Sequence, residues 1–296
     1  MLQDLESSQQ FFPQLAHAED AVNGMSVDVE EYFQVKAMGD TIERRQWNSL
    51  PSRVEASVER ILELFGDHDI SATFFILGWI AEKHPGLVRA IVANGHEVAS
   101  HGWEHTPADE QSREAFREDI MRAKKLLEDI SSTAVIGYRA ASFSINASNL
   151  WALEELENCG FRYSSSIYPV QHDIYGLPDA PRFAFRPDNA MTLIEWPGPT
   201  IEFAGRRWNC GGGGWFRIMP YTLFRWAVRR LHTVDRQPTF FYFHPWEIDP
   251  AQPRVRGLSA KSRLRHYTNL DRTESRLHRL LRDFHWDRFD RLLDVQ

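Results

Sequence analysis

The chain has 296 residues, 43% apolar and 25% charged, a composition suited to a globular protein with one large core or one elaborated domain. A formal charge of -7 and a pI near 6.0 leave no overall basic footprint, which argues against nucleic acid as a partner. Cys159 and Cys210 are too few for a disulfide framework, no apolar run reaches membrane-spanning length, and the polar start MLQDLESSQQ is unlike a signal peptide, so a cytoplasmic protein is expected.

Residues 1–20 lack periodicity and are expected to form a loose arm. The segment 21–33, AVNGMSVDVEEYF, reads as a first core strand ending in acids. Strand alternation sends Asp28 and Glu30 to one side, as a metal ligand and a base or else as capping acids of the next element. Val54, Val58, Ile61, Leu62 and Phe65 then recur at helical spacing, with Gly66 as the stop. Ser71–Gly78 is a nearly continuous apolar strand of the kind that helices cover on both sides. A helix over Trp79–Asn94 and a strand over Glu97–Ser100 lead into His101-Gly102-Trp103-Glu104-His105. Two imidazoles four residues apart can converge on one cation if the backbone turns helically between them. A helix over Glu110–Asp129 and a strand over Ala134–Arg139 continue the alternation. The pattern predicts an α/β fold, a barrel or an incomplete one, with the active loops at the carboxyl ends of its strands.

Further on, the apolar run Met191–Ile194 delivers Glu195-Trp196-Pro197 toward the cleft, with Glu195 a substrate contact or an ordinary strand-end acid. The four glycines at 211–214 read either as close backbone approach to a substrate oxygen or as a hinge. Without a following Lys-Ser/Thr pair they do not make a phosphate loop. Tyr168, Trp208, Trp215 and Trp246 are candidate stacking platforms for sugar rings. Residues 221–233 have helical amphipathicity, and Phe240–Phe243 forms a strand that ends on His244, a candidate proton donor. The basic stretch from Arg254 to His266 reads as a solvated face or as a contact for an anionic glycan or membrane headgroups. Helical spacing over Asp271–Phe284 predicts an appended helical piece. The expected organisation is therefore an arm over 1–20, a barrel over 21–250 and a docked extension over 251–296.

These segments resemble the polysaccharide deacetylase family of NodB-homology domains. Its H-S/T-x-x-x-H signature is matched by His101-Gly102-Trp103-Glu104-His105, with Gly102 in the Ser/Thr place. Its R-x-P-Y segment resembles Arg139-Ala140-Ala141-Ser142-Phe143, and its late L-x-H segment resembles Tyr242-Phe243-His244. The T-F-D-D-G opening corresponds to Ser26-Val27-Asp28-Val29-Glu30, with Val29 at the second aspartate. The chain is most similar to a subgroup associated with bacterial exopolysaccharide assembly and exosortase gene neighbourhoods. That likeness runs through Asp28–Phe33, Gly137–Phe143, Tyr163–Pro169, where Ser164 stands in place of an acid, and the extension with Gly211–Arg217.

The resemblance implies a distorted (β/α) barrel holding one divalent metal and hydrolysing N-acetyl groups of hexosamines in an exopolysaccharide or a lipid-linked precursor. His101 and His105 are the expected ligands, with Glu30 as the third and Asp28 as the alternative. Zinc is preferred, with cobalt, nickel or manganese compatible. Asp28 is expected to activate water, His244 to protonate the leaving amine, Arg139 to orient Asp28, and the backbone near Ser142 to meet the oxyanion. Two other readings stand beside it: hydrolysis of a non-sugar amide or cyclic imide, and glycan binding by a degenerate site. No integral membrane segment is expected, although transient contact with the inner membrane surface is compatible.

Overall fold

The sheet is organised around its first strand, β1 (Val22–Val29), in a computed structural model that describes residues 10–39, 41–171, 176–187 and 192–295. Helix α1 (Val54–Asp67) follows; Gly66 lies inside its last turn and does not stop it. After β2 (Thr73–Ile76), the helix expected over Trp79–Asn94 is two helices, α2 (Gly78–Lys83) and α3 (Pro85–Ala93). Pro85 has no amide hydrogen to continue the first helix and disfavours helical geometry at His84, so it opens a new one. Strand β3 (Glu97–Ser100) leads through the histidine loop to α4 (Arg113–Ser131), whose Ser112 hydroxyl accepts from Ala115 N at 3.2 Å as an N-cap. Then come β4 (Gly137–Tyr138), α5 (Trp151–Asn158), β5 (Tyr163–Ser164) and β6 (Ile194–Glu195). Met191, at the head of the expected run, lies outside the described residues.

The second half of the chain adds an antiparallel hairpin, β7 (Thr200–Phe203) with β8 (Arg206–Asn209), and helices α6 (Gly213–Ile218) and α7 (Tyr221–Arg230). Strand β9 (Phe240–Phe243) precedes α8 (Ala260–Tyr267), α9 (Leu270–Asp283), β10 (His285–Asp287) and the short α10 (Phe289–Leu292). The large sheet has eight strands in the order β10-β1-β2-β3-β4-β5-β6, with β9 also on β1, and every pairing in it is parallel. This is a curled, open half-barrel of the distorted NodB type, with additional helices on its C-terminal side.

Alternation along β1 divides its side chains between two environments. Met25, Val27 and Val29 belong to the core under the helices, whereas Ser26 and Asp28 project into the barrel interior toward Arg139. The interior is floored by aromatic rings: Phe289 of α10 touches Phe75, Tyr163, Trp196 and Phe240, at ring-centroid distances of 4.7–6.0 Å. The extension thus gives the barrel a strand and a floor in addition to its helices. Of the arm expected to be loose, residues 1–9 lie outside the described residues. The rest is held down, with Phe11 N donating to Ala184 O at 2.7 Å and Phe12 packing on Trp196. Among the described residues, no helix is long and apolar enough to cross a membrane.

Candidate metal centre

The carboxyl ends of β1, β3, β4 and β9 deliver Glu30, His101, Arg139 and His244 in turn, each the residue immediately after its strand. Glu30, His101 and His244 meet at a cavity of about 310 Å3 lined also by Asp28, His105 and Ser142, with Arg139 buried behind Asp28. Ligand atoms of Glu30, His101 and His105 lie within 4.8 Å of one another. His105 reaches the group because the loop reverses twice, through Gly102 at φ 77° and His105 itself at φ 56°. A Cβ on Gly102 would stand 2.8 Å from Asp119 Oδ2, which accepts from Trp103 N at 3.0 Å. The glycine is therefore required by the loop's left-handed turn and by Asp119 beneath it.

Donor chemistry fits a divalent cation. His101 Nδ1 donates to Arg139 O at 2.8 Å, which fixes the tautomer and leaves Nε2 with a free lone pair. Burial holds the His101 imidazole below its ordinary pKa, and it holds His105 well below, with His101 adding to the effect, so both favour the neutral, ligating form. Glu30 Oε2 is buried without a hydrogen-bond partner among the described residues, and His105 Nε2 stands 3.1 Å away but out of line for a hydrogen bond. Burial raises Glu30 to about 7 despite the nearby His244 and the Trp246 indole N–H, which donates to Oε1 at 3.2 Å. A buried carboxylate oxygen with no donor, facing two neutral imidazoles, is the arrangement that an electrophilic ion satisfies. Glu31, the next acid in the chain, is used otherwise: it caps α1, accepting from Ser52 Oγ at 2.5 Å and from Arg53 N and Val54 N.

Two charged assemblies flank the cluster. On one side Arg139, fully buried, donates through Nη1 to Asp28 Oδ1 at 2.6 Å and to Ser26 Oγ at 2.9 Å, and through Nη2 to Ser165 Oγ at 3.1 Å. Its guanidinium lies 4.0 Å above the Phe75 ring, so the ion pair is walled by aromatics and ordered in a single geometry. On the other side His244 Nδ1 donates to Glu247 Oε1 at 2.7 Å, and Arg217 Nε donates to Glu247 Oε2 at 2.6 Å. Arg217 is anchored on the carbonyls of Arg265, His266 and Thr268, the unpaired acceptors at the end of α8. Burial alone would lower His244, but Glu30 and Glu247 outweigh it and raise it to about 9. Burial would raise Glu247, yet Arg217 and His244 bring it to about 2.

Glu247 and Arg217 were not foreseen as supports of His244. The only local signal was an acid three residues after His244, which a 3-10 turn over Pro245–Ile248 brings back onto the imidazole. In the glycine run Gly212 and Gly214 line the cavity; a Cβ on Gly213 would lie 2.3 Å from Glu247 Oε1, and one on Gly212 would lie 2.6 Å from the Tyr242 hydroxyl. These glycines make room for the groups that position His244.

The six expected substrate contacts divide. Ser142, in the left-handed region at φ 56°, lines the cavity, as do Trp215 and Trp246. Trp246 stacks on His244 and on His266, at ring-centroid distances of 5.1 and 4.1 Å, so it orients the imidazole instead of offering an open platform. Tyr168 is fully buried and does not line the cavity; its hydroxyl donates to Asn209 Oδ1 at 2.5 Å. Glu195 is likewise buried off the cavity, its Oε1 accepting from Ser166 N and Ile167 N. Trp208 lies on the hairpin, away from the cavity lining, with its indole N–H bonded to Phe203 O. In the basic stretch, His266 is buried against Trp246 and bonded to Gln252 Oε1 at 2.7 Å, so this part of it is an internal support of the site.

Comparisons with known proteins converge on one family for the first part of the chain. Residues 47–164 match the model of polysaccharide deacetylases, and residues 165–294 match a domain of unknown function, DUF3473. A peptidoglycan-N-acetylglucosamine deacetylase of Listeria monocytogenes is 35% identical over 69 residues, 23% of this chain and 15% of the relative. A peptidoglycan deacetylase of Helicobacter pylori is 29% identical over 149 residues, 50% of this chain and 49% of the relative. The chain thus spans less than half the length of these two curated relatives. In fold it is similar to a Mycobacterium smegmatis protein assigned to the polysaccharide deacetylases, with a TM-score of 0.60 and 16% identity over 97% of this chain and 94% of that one.

Proposed function

Since residues 47–164 match the model of polysaccharide deacetylases, we propose that the chain is a metal-dependent carbohydrate N-deacetylase, removing N-acetyl groups from hexosamine units of a bacterial exopolysaccharide or its precursor. The observation that carries the reading is the trio Glu30, His101 and His105 set between an arginine-held aspartate and a glutamate-held histidine on one cavity. Two imidazoles and a carboxylate suit zinc best among hydrolytic ions, with cobalt, nickel or manganese able to use the same donors. A divalent ion held there supplies Lewis acidity toward the amide carbonyl and toward water.

The chain's own residues supply the proton handling. Asp28, held in one geometry by Arg139, accepts the proton of the attacking water. His244, oriented by its hydrogen bond to the Glu247 carboxylate, gives a proton to the departing amine. Both groups are preorganised by buried partners, so neither has to find its geometry during turnover. Donors near Ser142, where the backbone takes its left-handed turn on the cavity wall, face the developing oxyanion. Trp215 on the rim offers an exposed ring for a sugar face, and the cavity volume suits one acetylated residue of a longer chain.

The test is acetate release, with product mass, from defined N-acetylated glycans, both polymeric and lipid-linked, by metal-reconstituted protein. Absence of release from all of them by folded, fully metallated protein overturns the reading.

A further inference from the structure

The hairpin and the helix after it carry a surface that the proposed chemistry does not use. Residues 203–234 contain six arginines and neither aspartate nor glutamate. With a formal charge of -7 for the chain and six positive charges in this run, the remainder carries -13. Seven of the ten exposed large apolar side chains among the described residues fall in the same run. Arg217 is buried on Glu247, and Arg207 and Arg225 pair with Glu202 and Asp283, so Arg206, Arg229 and Arg230 carry the positive charge that stands beside these exposed apolar side chains.

The surface is built, not frayed. Ile201 and Phe203 share one face of the hairpin by alternation; Ile201 is buried against Ala227 and Leu231, and the Phe203 ring meets Trp226 of α7 edge-on at 5.5 Å. Arg230 Nε donates to Glu202 O at 3.2 Å, tying the hairpin to the end of α7. On the solvent side of α7, where polar residues are expected, Leu223 and Trp226 stand one turn apart, followed by exposed Arg229, and Val234 is exposed in the turn after the helix. Arg206 sits exposed across the hairpin from Phe203.

We infer that this face, the β7–β8 hairpin tip with the outer stripe of α7, docks on an anionic lipid bilayer. Aromatic rings and aliphatic side chains enter the headgroup–acyl boundary while arginines reach the phosphates, which is how amphipathic surfaces lie on a membrane. The aliphatic members Leu223 and Val234 favour lipid over a glycan, which would use the flat ring faces alone. Trp215 and Ile218, on α6 just before this helix, line the cavity and are exposed, so docking brings the cavity mouth close to the bilayer.

Vesicle sedimentation without any substrate tests this, using the full chain with phosphatidylcholine alone and with an equimolar phosphatidylcholine–phosphatidylglycerol mixture. Binding is expected only to the anionic vesicles and weaker at high salt. The exposed double variants F203S/W226S and R206E/R229E, with melting temperatures near that of the parent, are expected to reduce partition by at least about tenfold. No binding to anionic vesicles, or binding unchanged in both double variants, overturns the proposal. So does retention on an immobilised N-acetylated polysaccharide that F203S/W226S abolishes while vesicles are ignored; that result makes the face a glycan platform.

Discussion

Replacing Glu30 with Gln separates a metal ligand from a merely buried acid, because the structure sets both the size and the pH dependence of the loss. Glu30 contributes the only carboxylate of the cluster, and removing its charge costs metal affinity at least about 100-fold, the upper end of what loss of a supporting residue around a metal costs. The wild-type protein carries a proton on Glu30 below about 7, and that proton has to leave before the oxygen can ligate. The histidines contribute little to this dependence near neutrality, since burial holds both below their ordinary values. Affinity is therefore expected to weaken about tenfold for each pH unit below 7, and E30Q is expected to flatten that slope as well as weaken binding. Competition titration with a chromophoric zinc chelator at several pH values measures both. Wild-type affinity in E30Q refutes ligation by Glu30, and an unchanged slope in a weaker E30Q refutes the assignment of the proton.

His244→Ala and Asp28→Asn are each expected to keep the metal and to lower kcat by about 10²–10⁴-fold, checked by acetate release with chemistry shown to be rate-limiting. Gly213→Ala puts a methyl group 2.3 Å from Glu247 Oε1, so turnover is expected to fall by about 10–100-fold while zinc affinity stays near wild type. Glu97, buried under Thr73, Tyr163 and Asp290, tests the other end of the barrel. Burial and then Asp290 raise its pKa in the folded state, so the folded protein holds a proton that the unfolded chain has lost above 4.5. Its contribution is fully present below that value and declines as pH rises through the raised range. Glu97→Gln is accordingly expected to show a shallower fall of melting temperature between pH 5 and 8, and an equal or steeper fall counts against the argument.

Strand and helix alternation was legible because apolar runs and helical spacings are local properties, and the ligating loop announced itself through His101 and His105. What the sequence concealed depended on contacts between distant segments. Nothing near Glu31 indicates that it caps a helix beginning at Val54, more than twenty residues later. Nothing near Arg217 indicates that its acceptors are the carbonyls at the end of α8. Tyr168 looked like a stacking platform because it is aromatic, and Glu195 like a cleft residue because it follows an apolar run. The side chains turn inward, one to the hairpin at Asn209 and the other to amides of its neighbouring strand segment. Aromatic content likewise suggested sugar platforms, yet Phe75, Phe240 and Phe289 floor the barrel beneath Arg139.

The departures from the family pattern have compensations that can be read one by one. Val29 points into the core under the helices, so an acid there could not reach the cavity without breaking the alternation of β1; Glu30, the next residue and one methylene longer than Asp, stands beside the two histidines instead. Gly102 occupies a left-handed turn directly against Asp119, where a serine or threonine Cβ has no room. Ser164 lies opposite Glu195 in the β5–β6 register, and burial already raises Glu195 to about 7. A second carboxylate at 164 would set two buried acids side by side, each making the other harder to ionise. The carboxylate that steadies the histidine comes instead from Glu247, inside the histidine's own turn, and Arg217 neutralises it from the C-terminal half. A site losing its function would be expected to shed such groups independently. Here the acids absent at Val29 and Ser164 are each matched by a carboxylate elsewhere, Glu30 beside the histidines and Glu247 on His244, and the second of these brings the C-terminal half of the chain into the support of the centre.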